Sequence, residues 1–302
     1  MRGSYLFGWG EPTINPNFSK FLERLDKTPV RKYFVTNGTR LDKFIDDIFK
    51  YNVDIIAISL DGANSAVNDA IRVGSSFDKI IENINKIQAK KAELKVDFPY
   101  MNFVFVAMES NIRELPKMVE LAHKVGLQEV KVVFLTAFSQ EMLQESLYNK
   151  QPLIKQIFED TIQLAKTLNI KIKLPYVQGE DVAGTKYHKD RFVGWRDFFI
   201  GSDDSIRPCQ STSLKIGKFS SFTTFEEAWN SQAFQDFRKV VNCNDATQGE
   251  MPIQCKLCYQ SSHANWNNKA SFIQVVQAFA PQWDKKVKKE SLWADLILQK
   301  HS

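Results

Sequence analysis

Short apolar runs alternate with longer amphipathic stretches over roughly the first 174 residues of the chain. The apolar runs predict strands at Tyr5–Gly8, Lys32–Thr36, Ile55–Leu60, Met101–Ala107, Val130–Phe134 and Ile170–Leu174. The amphipathic stretches predict helices at Phe18–Lys27, Leu41–Tyr51, Phe77–Ala92, Ile112–Val125 and Pro152–Leu168. Strict alternation of strand and helix is typical of a parallel α/β sheet, either open or closed into a barrel.

Polar residues and glycines mark the expected ends of two of these helices. Asn111 is a good N-cap residue for the helix that contains Leu115 and Met118, and Gly126 follows its last apolar residue. Ser75-Ser76 precedes the helix that begins at Phe77.

The pattern changes after about residue 175, where a polar and irregular stretch rich in glycine begins. Trp195–Ile200 and Ser205–Pro208 flank Gly201-Ser202-Asp203-Asp204, which predicts a β-hairpin with a polar turn. A helix is predicted at Phe225–Val241. We therefore expect two domains, a barrel-like domain over residues 1–185 and a smaller α+β, metal-binding domain over residues 186–302.

Composition and charge exclude some classes of protein. An apolar content of 43% and a charged content of 25% are ordinary for a soluble globular protein. The net charge of +5 comes with no dense basic tract, so we expect no nucleic-acid partner. Neither a transmembrane run nor the apolar core of a signal peptide occurs, so the expected location is the cytoplasm, without a membrane partner.

Three consecutive predicted strands end in polar, glycine-containing clusters. These clusters are Gly8-Trp9-Gly10-Glu11-Pro12, Thr36-Asn37-Gly38-Thr39 and Ser59-Leu60-Asp61-Gly62. Each cluster alone is a common turn sequence, but all three should lie at the same rim of a parallel barrel. Glycines there allow close approach of the backbone, and the polar side chains suit a zwitterionic or ribose-bearing ligand.

These clusters resemble motifs of the radical S-adenosylmethionine (SAM) enzymes. Gly8-Trp9-Gly10-Glu11-Pro12 is similar to the Gly-Gly-Glu-Pro motif that ends the second strand of that family and binds the amino group of SAM, with Trp9 in place of the second glycine. The resemblance implies that the segments at Asn37 and at Ser59 and Asp61 hold the ribose and the methionine carboxylate. Arg72 resembles an arginine that follows the Ser-Leu-Asp-Gly segment, although a solvated loop arginine is an equal alternative.

The C-terminal third resembles the SPASM or Twitch extensions that bind auxiliary iron–sulfur clusters. All four cysteines lie there, and their clustering favours a metal over disulfides: Cys209, Cys243, Cys255 and Cys258. Four thiolates suit either a [4Fe–4S] cluster or tetrahedral Zn²⁺, and the resemblance favours the cluster. The fourth ligand stays open, because His188 or His263 could replace Cys243.

The chain departs from the family in one respect. Radical SAM enzymes hold their catalytic [4Fe–4S] cluster with a Cys-x3-Cys-x2-Cys loop after the first strand, and this chain has no cysteine before Cys209. We expect a partial (β/α)6 TIM-like barrel that is missing its first βα unit. This predicts a fragment or truncated form of a full enzyme, rather than a natural relative without that cluster. The polypeptide alone is expected not to cleave SAM.

The resemblance implies a radical SAM oxidoreductase or maturase. In full-length relatives, reductive cleavage of SAM gives a 5′-deoxyadenosyl radical that abstracts hydrogen from a peptide or small molecule. The implied partners are such a substrate and an electron donor such as flavodoxin or ferredoxin. The alternative is a non-catalytic barrel whose zinc- or cluster-bearing tail binds a partner.

Overall fold

The computed structural model describes residues 3–5, 10–135, 141–147, 150–175, 193–209 and 214–241, together with 250, 252 and 255. The chain divides into two compact units, the first comprising residues 1–135 and 144–177 and the second 136–143 and 178–302. The predicted boundary between residues 185 and 186 lies outside the described residues, so it stays a prediction.

A six-stranded parallel sheet forms the centre of the first unit. Its strands are β1 (Gly3–Tyr5), β2 (Arg31–Thr36), β3 (Ile55–Ser59), β4 (Tyr100–Ala107), β5 (Glu129–Phe134) and β6 (Lys171–Lys173). They lie side by side in chain order, as they do in β/α barrels. This confirms the predicted α/β class.

Helices connect successive strands. They are α1 (Phe18–Asp26), α2 (Ile45–Lys50), α3 (Ser65–Ile71), α4 (Phe77–Leu94), α5 (Leu115–Lys124) and α6 (Gln151–Thr167). Short 3-10 helices occur at Pro12–Ile14, Leu41–Phe44, Ile112–Glu114 and Glu141–Glu145. Of the first predicted strand, only Tyr5 lies in β1, and its other residues are outside the described part.

The two faces of the sheet differ in packing. One face packs against the helices, as shown by ring contacts of Phe34 with Phe18 of α1 at 5.1 Å and of Phe134 with Phe158 of α6 at 6.1 Å. Alternate residues point to the opposite face. We call this the inner face and define it by these residues: Val35, Ala57, Ser59, Tyr100, Asn102, Val104, Val106, Glu129, Lys131, Val133, Lys171 and Lys173. Many inner-face side chains are only half-buried, whereas the helix-facing core is closed to solvent.

The second unit contains a three-stranded antiparallel sheet. Its elements are α7 (Val193–Arg196), β7 (Phe199–Ile200), β8 (Ser205–Arg207), β9 (Gly217–Lys218), a 3-10 helix (Phe219–Ser221), α8 (Phe225–Trp229) and α9 (Gln232–Val240). The predicted hairpin is confirmed, with its polar turn closed by the Gly201 N–H donating to the Ser205 carbonyl at 2.8 Å. Trp195, expected in the first strand of this hairpin, lies in α7 instead.

The prediction of a single helix at Phe225–Val241 is wrong, because the segment forms two helices, α8 and α9, which are separated by Asn230 and Ser231. The side chain of Asn230 donates to the Glu226 carbonyl at 2.9 Å, and Gln235 donates to the Asn230 carbonyl at 2.7 Å. Side chains thus bond carbonyl groups at the junction, as polar residues at helix ends commonly do. In the part of the chain that the structure describes, no helix is long and apolar enough to cross a membrane.

Candidate functional site

Glu11 joins the loop after β1 to the end of β2. Its Oε1 accepts hydrogen bonds from the backbone N–H of Thr13 at 3.0 Å, the Thr13 hydroxyl at 2.6 Å and the Thr36 hydroxyl at 2.7 Å. Its Oε2 accepts the Asn37 N–H at 2.6 Å. A carboxylate has about four lone-pair positions, so Oε2 retains capacity for a further donor.

A tight turn follows β2 directly beside Glu11. The Oδ1 atom of Asn37 accepts from the Thr39 N–H at 3.0 Å and the Thr39 hydroxyl at 2.8 Å, which leaves the amide Nδ2 without a bond to any described residue. Gly38 has φ +78°, and buried Asn83 of α4 donates to its carbonyl at 2.9 Å. The polar side of this turn therefore lies next to Glu11, while its other side is tied to the core.

Ser59 ends the neighbouring strand β3. Thr36 of β2 lies opposite Ile58 of β3, so Ser59 comes one residue beyond the last pair of that register. Its side chain is half-buried on the inner face, and among the described residues its hydroxyl makes no hydrogen bond. A hydroxyl in this position can bond a ligand at the carboxyl edge of the sheet.

Asp61, in contrast, is fully engaged within the protein. Its side chain is buried, its Oδ1 accepts from the Val106 N–H at 2.8 Å, and its Oδ2 lies 2.7 Å from Arg72 Nε. Burial raises the pKa of the Asp61 carboxyl, and the neighbouring Arg72 charge opposes that shift. We interpret this pair as a support for the ends of β3 and β4.

Two asparagines extend this support, and the sequence prediction did not include them in the site. Asn68 Oδ1 accepts the Asp61 N–H at 3.0 Å, and Asn111 Nδ2 donates to the Asp61 carbonyl at 3.0 Å. Asn111 was expected to cap a helix with its side chain. It occupies the cap position, but its side chain bonds the ends of β3 and β4 and caps no helix N–H. Gly126 does end α5, with φ +70°, and Ser76 caps α4, as predicted.

The predicted ligand residues thus separate into two groups. The structure brings Gly10, Glu11 and Asn37 together, places Ser59 on the adjacent strand, and pairs Asp61 with Arg72 below the surface. Gly8 and Trp9 lie outside the described residues. Thr13 and Thr36 fix the Glu11 carboxylate. Thr36 belongs to a predicted cluster but was not singled out as a site residue, and Thr13 was not predicted, its local signal being its position two residues after Glu11.

In the second unit the structure describes two of the four cysteines. Cys255 is buried against Phe237 and Val241, and Cys209 is half-buried just after β8. Cys243 and Cys258 lie outside the described residues, as do His188 and His263. Within the described residues no group of three or more metal-ligating side chains forms, and the ligand set stays a prediction.

Comparison with known families identifies both units. Residues 2–122 match the Radical SAM superfamily, and residues 192–259 match SPASM, an iron–sulfur cluster-binding domain. Both domains that the sequence resemblance named are thus found in the chain, a Radical SAM domain and a C-terminal SPASM domain. These two domains imply SAM and [4Fe–4S] clusters as cofactors.

Curated relatives come from several branches of the superfamily. A tungsten-containing aldehyde ferredoxin oxidoreductase cofactor-modifying protein of Pyrococcus furiosus is 24% identical over 209 residues, covering 68% of this chain and 56% of the relative. The mycofactocin maturase MftC of Mycobacterium tuberculosis is 31% identical over 121 residues, covering 39% of this chain and 29% of the relative. The chain thus spans about half or less of the length of these relatives.

Solved structures show the same fold. Streptococcus suis SuiB matches with a TM-score of 0.59 at 12% identity, covering 83% of this chain and 62% of SuiB. The protein anSMEcpe, solved with bound S-adenosylmethionine (AdoMet), matches with a TM-score of 0.53 at 15% identity, covering 92% of this chain and 81% of that chain. The agreement covers the parallel α/β barrel-like architecture.

The residues at the carboxyl edge fit the polar groups of SAM. Glu11 Oε2 can accept from an ammonium group, while the Asn37 amide and the Ser59 hydroxyl can bond oxygen atoms. Cys209 and Cys255 supply thiol sulfur, the donor type that iron–sulfur clusters need.

Proposed function

We propose that this chain is the SAM-binding and substrate-binding part of a radical SAM maturase that acts on a peptide. The observation that carries the proposal is the Glu11 carboxylate bonded to the Asn37 N–H, with the Ser59 hydroxyl on the next strand bonded to none of the described residues. Support for a peptide substrate comes from two relatives, because MftC is a maturase and SuiB has been solved with its precursor peptide SuiA. A small-molecule substrate is the remaining option within this class.

Each site residue has a defined role in this proposal. Glu11 holds the loop after β1 in place and receives the amino group of SAM at Oε2. Asn37 and Ser59 orient the ribose and carboxylate through hydrogen bonds, while Asp61 and Arg72 position β3 and β4. When bound, SAM would supply the chemistry for hydrogen abstraction from the substrate, with an electron donor such as ferredoxin or flavodoxin as the source of the electron.

Calorimetric titration of SAM into variants of the chain tests this proposal. Asn37→Asp keeps the Oδ1 acceptor of the turn but removes the amide donor, and Ser59→Ala removes the hydroxyl. Each lost hydrogen bond is expected to weaken SAM binding by about three- to tenfold, which corresponds to about 0.5–1.5 kcal/mol. Thr167→Ala, which removes an exposed hydroxyl on α6, is the control. Unchanged affinity in both site variants would contradict the proposed site.

A binding module without catalysis is the second candidate. One observation favours it, since residues 1–208 contain no cysteine to hold the cluster that reduces SAM. Incubation of the reconstituted chain with SAM and dithionite tests whether this chain by itself can cleave SAM. Because residues 1–208 contain no cysteine, we expect no 5′-deoxyadenosine above background from this polypeptide alone. Clear formation of that product would refute the binding-module candidate.

A further inference from the structure

One row of inner-face residues crosses the sheet at the level of Ser59. The strand register places Ser59 of β3 beside Val104 of β4, Val104 beside Lys131 of β5, and Lys131 beside Lys173 of β6. Neighbouring strands lie about 4.8 Å apart, so the backbone at Lys131 lies about 10 Å from that at Ser59. Two lysines therefore share a face and a level with a residue of the proposed SAM site.

The positive charge of this row is only partly balanced. Glu129 lies one row lower, with its side chain 4% exposed, and its Oε1 contacts Lys173 Nζ at 2.9 Å. The Oε2 atom of Glu129 accepts from the Tyr100 hydroxyl at 3.1 Å and lies 3.6 Å from Lys171 Nζ. Burial and Glu129 raise the pKa of Tyr100 to about 12, so Tyr100 remains a neutral donor.

Lys131 has no carboxylate partner among the described residues, and its side chain is exposed. Beside Lys131 and on the side towards the carboxyl edge, the nearest inner-face residues are Val104, Val106 and Val133, which offer no hydrogen-bonding side chain. On its other side lie Asn102 and Glu129, and Glu129 contacts Tyr100, Lys171 and Lys173. Lys173, 52% exposed, adds a second ammonium group beside it. A cationic pair on a half-buried apolar surface is suited to an anionic ligand group.

We propose that Lys131 and Lys173 form a subsite for a carboxylate of the peptide substrate. This inference rests on the proposed function and adds a requirement on the peptide substrate. The substrate should carry an acidic side chain or a free C-terminus near the reacting residue. Lys131 supplies the unpaired charge, and Glu129 holds Lys173 in place.

Fluorescence polarisation with defined peptides on the 302-residue chain tests the subsite. The probes are a dye-labelled Ala-Ala-Glu-Ala-Ala amide, its Gln counterpart as an amide, and the Gln peptide with a free C-terminus. We expect the Glu peptide or the free-C-terminus peptide to bind at least threefold more tightly than the Gln amide, and the difference between the two identifies the source of the carboxylate.

Variants locate the effect on the sheet. Lys131→Ala is expected to weaken the acidic peptide about three- to fivefold, and Lys131→Ala with Lys173→Ala at least tenfold, because exposed ion pairs are modest. Lys171→Ala is the matched control, because Lys171 lies on the same face and strand as Lys173 and is 62% exposed. The substitution removes one positive charge, as Lys131→Ala does. It should change the affinity less than twofold. Thermal melts of each variant identify loss of folding, and Lys173→Arg, which keeps the charge, should retain binding.

Each alternative outcome has a clear meaning. Equal weakening by Lys171→Ala, or equal binding of all three peptides, would overturn the subsite. Stronger competition by inorganic phosphate than by acetate would also overturn it, because the preferred anion would then be a phosphate. SAM titration of Lys131→Ala should match the unmodified chain. Loss of SAM binding to every preparation, with acidic-peptide binding intact, would defeat the proposed function but leave the carboxylate subsite.

Discussion

Two features of the surroundings of Asp61 shift the pKa of its carboxyl group in opposite directions. Its burial at the end of β3 favours the neutral acid, while Arg72 at 2.7 Å favours the ion. We therefore expect Arg72 to favour the charged form of Asp61 in the folded protein. The residue was expected to contact a ligand, and its contacts with Val106 and Arg72 instead explain a structural role.

Arg72→Gln should destabilise the first unit in a pH-dependent way. Without the guanidinium, the pKa of Asp61 rises further above its ordinary value of 3.8, and ionised Asp61 becomes unfavourable. A folded-state pKa above the unfolded value lowers stability progressively as the pH rises from the unfolded pKa to the folded one, so the variant should lose about 2 kcal/mol at pH 7 and little near pH 4.

Urea unfolding at several pH values measures this loss. Arg113→Gln is the control, because Arg113 is 62% exposed and lies 3.5 Å from its surface partner Glu109. If Arg72→Gln lowers the free energy of unfolding by the same amount from pH 4 to pH 7, ionisation of Asp61 is not the cause of the loss.

At the level of elements, the turn after β2 requires glycine at position 38 for two reasons, the backbone conformation and the lack of room for a side chain. Gly38 has φ +78°, and a Cβ atom there would lie 3.0 Å from Ile80 Cγ2 of α4 and 3.1 Å from Ile58 Cγ2 of β3. The turn can approach the core only because this position lacks a side chain. Its polar side thereby stays at the carboxyl edge beside Glu11.

Gly38→Ala compared with Gly74→Ala separates these two effects. Both glycines have positive φ, +78° and +84°, but nothing lies within 4 Å of a Cβ at Gly74. We expect Gly74→Ala to cost about 1 kcal/mol from backbone strain, and Gly38→Ala to cost a further 1–3 kcal/mol or so from overpacking. Denaturant unfolding midpoints measure both losses of stability, provided that the dependence of the unfolding free energy on denaturant concentration is unchanged. Equal losses for Gly38→Ala and Gly74→Ala would exclude the steric contribution.

The sequence predicted elements well where local pattern decides them. Strands β2 to β6 and helix α4 were found because their apolar periodicity directly reports burial against one face. The break at Asn230 and the inward role of Asn111 depend on which carbonyl groups lie nearby in the folded chain. Similarly, glycine and acid patterns located the site at Glu11, Asn37 and Ser59, but only the folded contacts separate Asp61 from them.

Over the whole molecule, the two kinds of cofactor chemistry fall in separate units. The first unit carries the proposed SAM-site residues at its carboxyl edge, and the second carries Cys209 and Cys255. Cys255 belongs to a small core with Phe237 and Val241, so a metal bound there would be coupled to folding of the second unit.

Anaerobic reconstitution tests the metal assignment. Four thiolate ligands predict about four iron and four sulfide per chain, and Cys255→Ser or Cys209→Ser should lose most of both. Val241→Ala, which perturbs the same small core without removing a thiol, should retain them. A purified chain with one zinc and no sulfide would support the zinc alternative instead.

The chain-order arrangement of the sheet also has a consequence for how the protein is made. Among the described strands, neighbours in the sheet are also neighbours in the chain. During synthesis, every newly emerged βα segment therefore finds its partner already outside the ribosome, and no earlier pairing has to open to admit it. Contacts between neighbouring strands span moderate sequence distances, which limits the time that an unpaired strand is exposed to other chains.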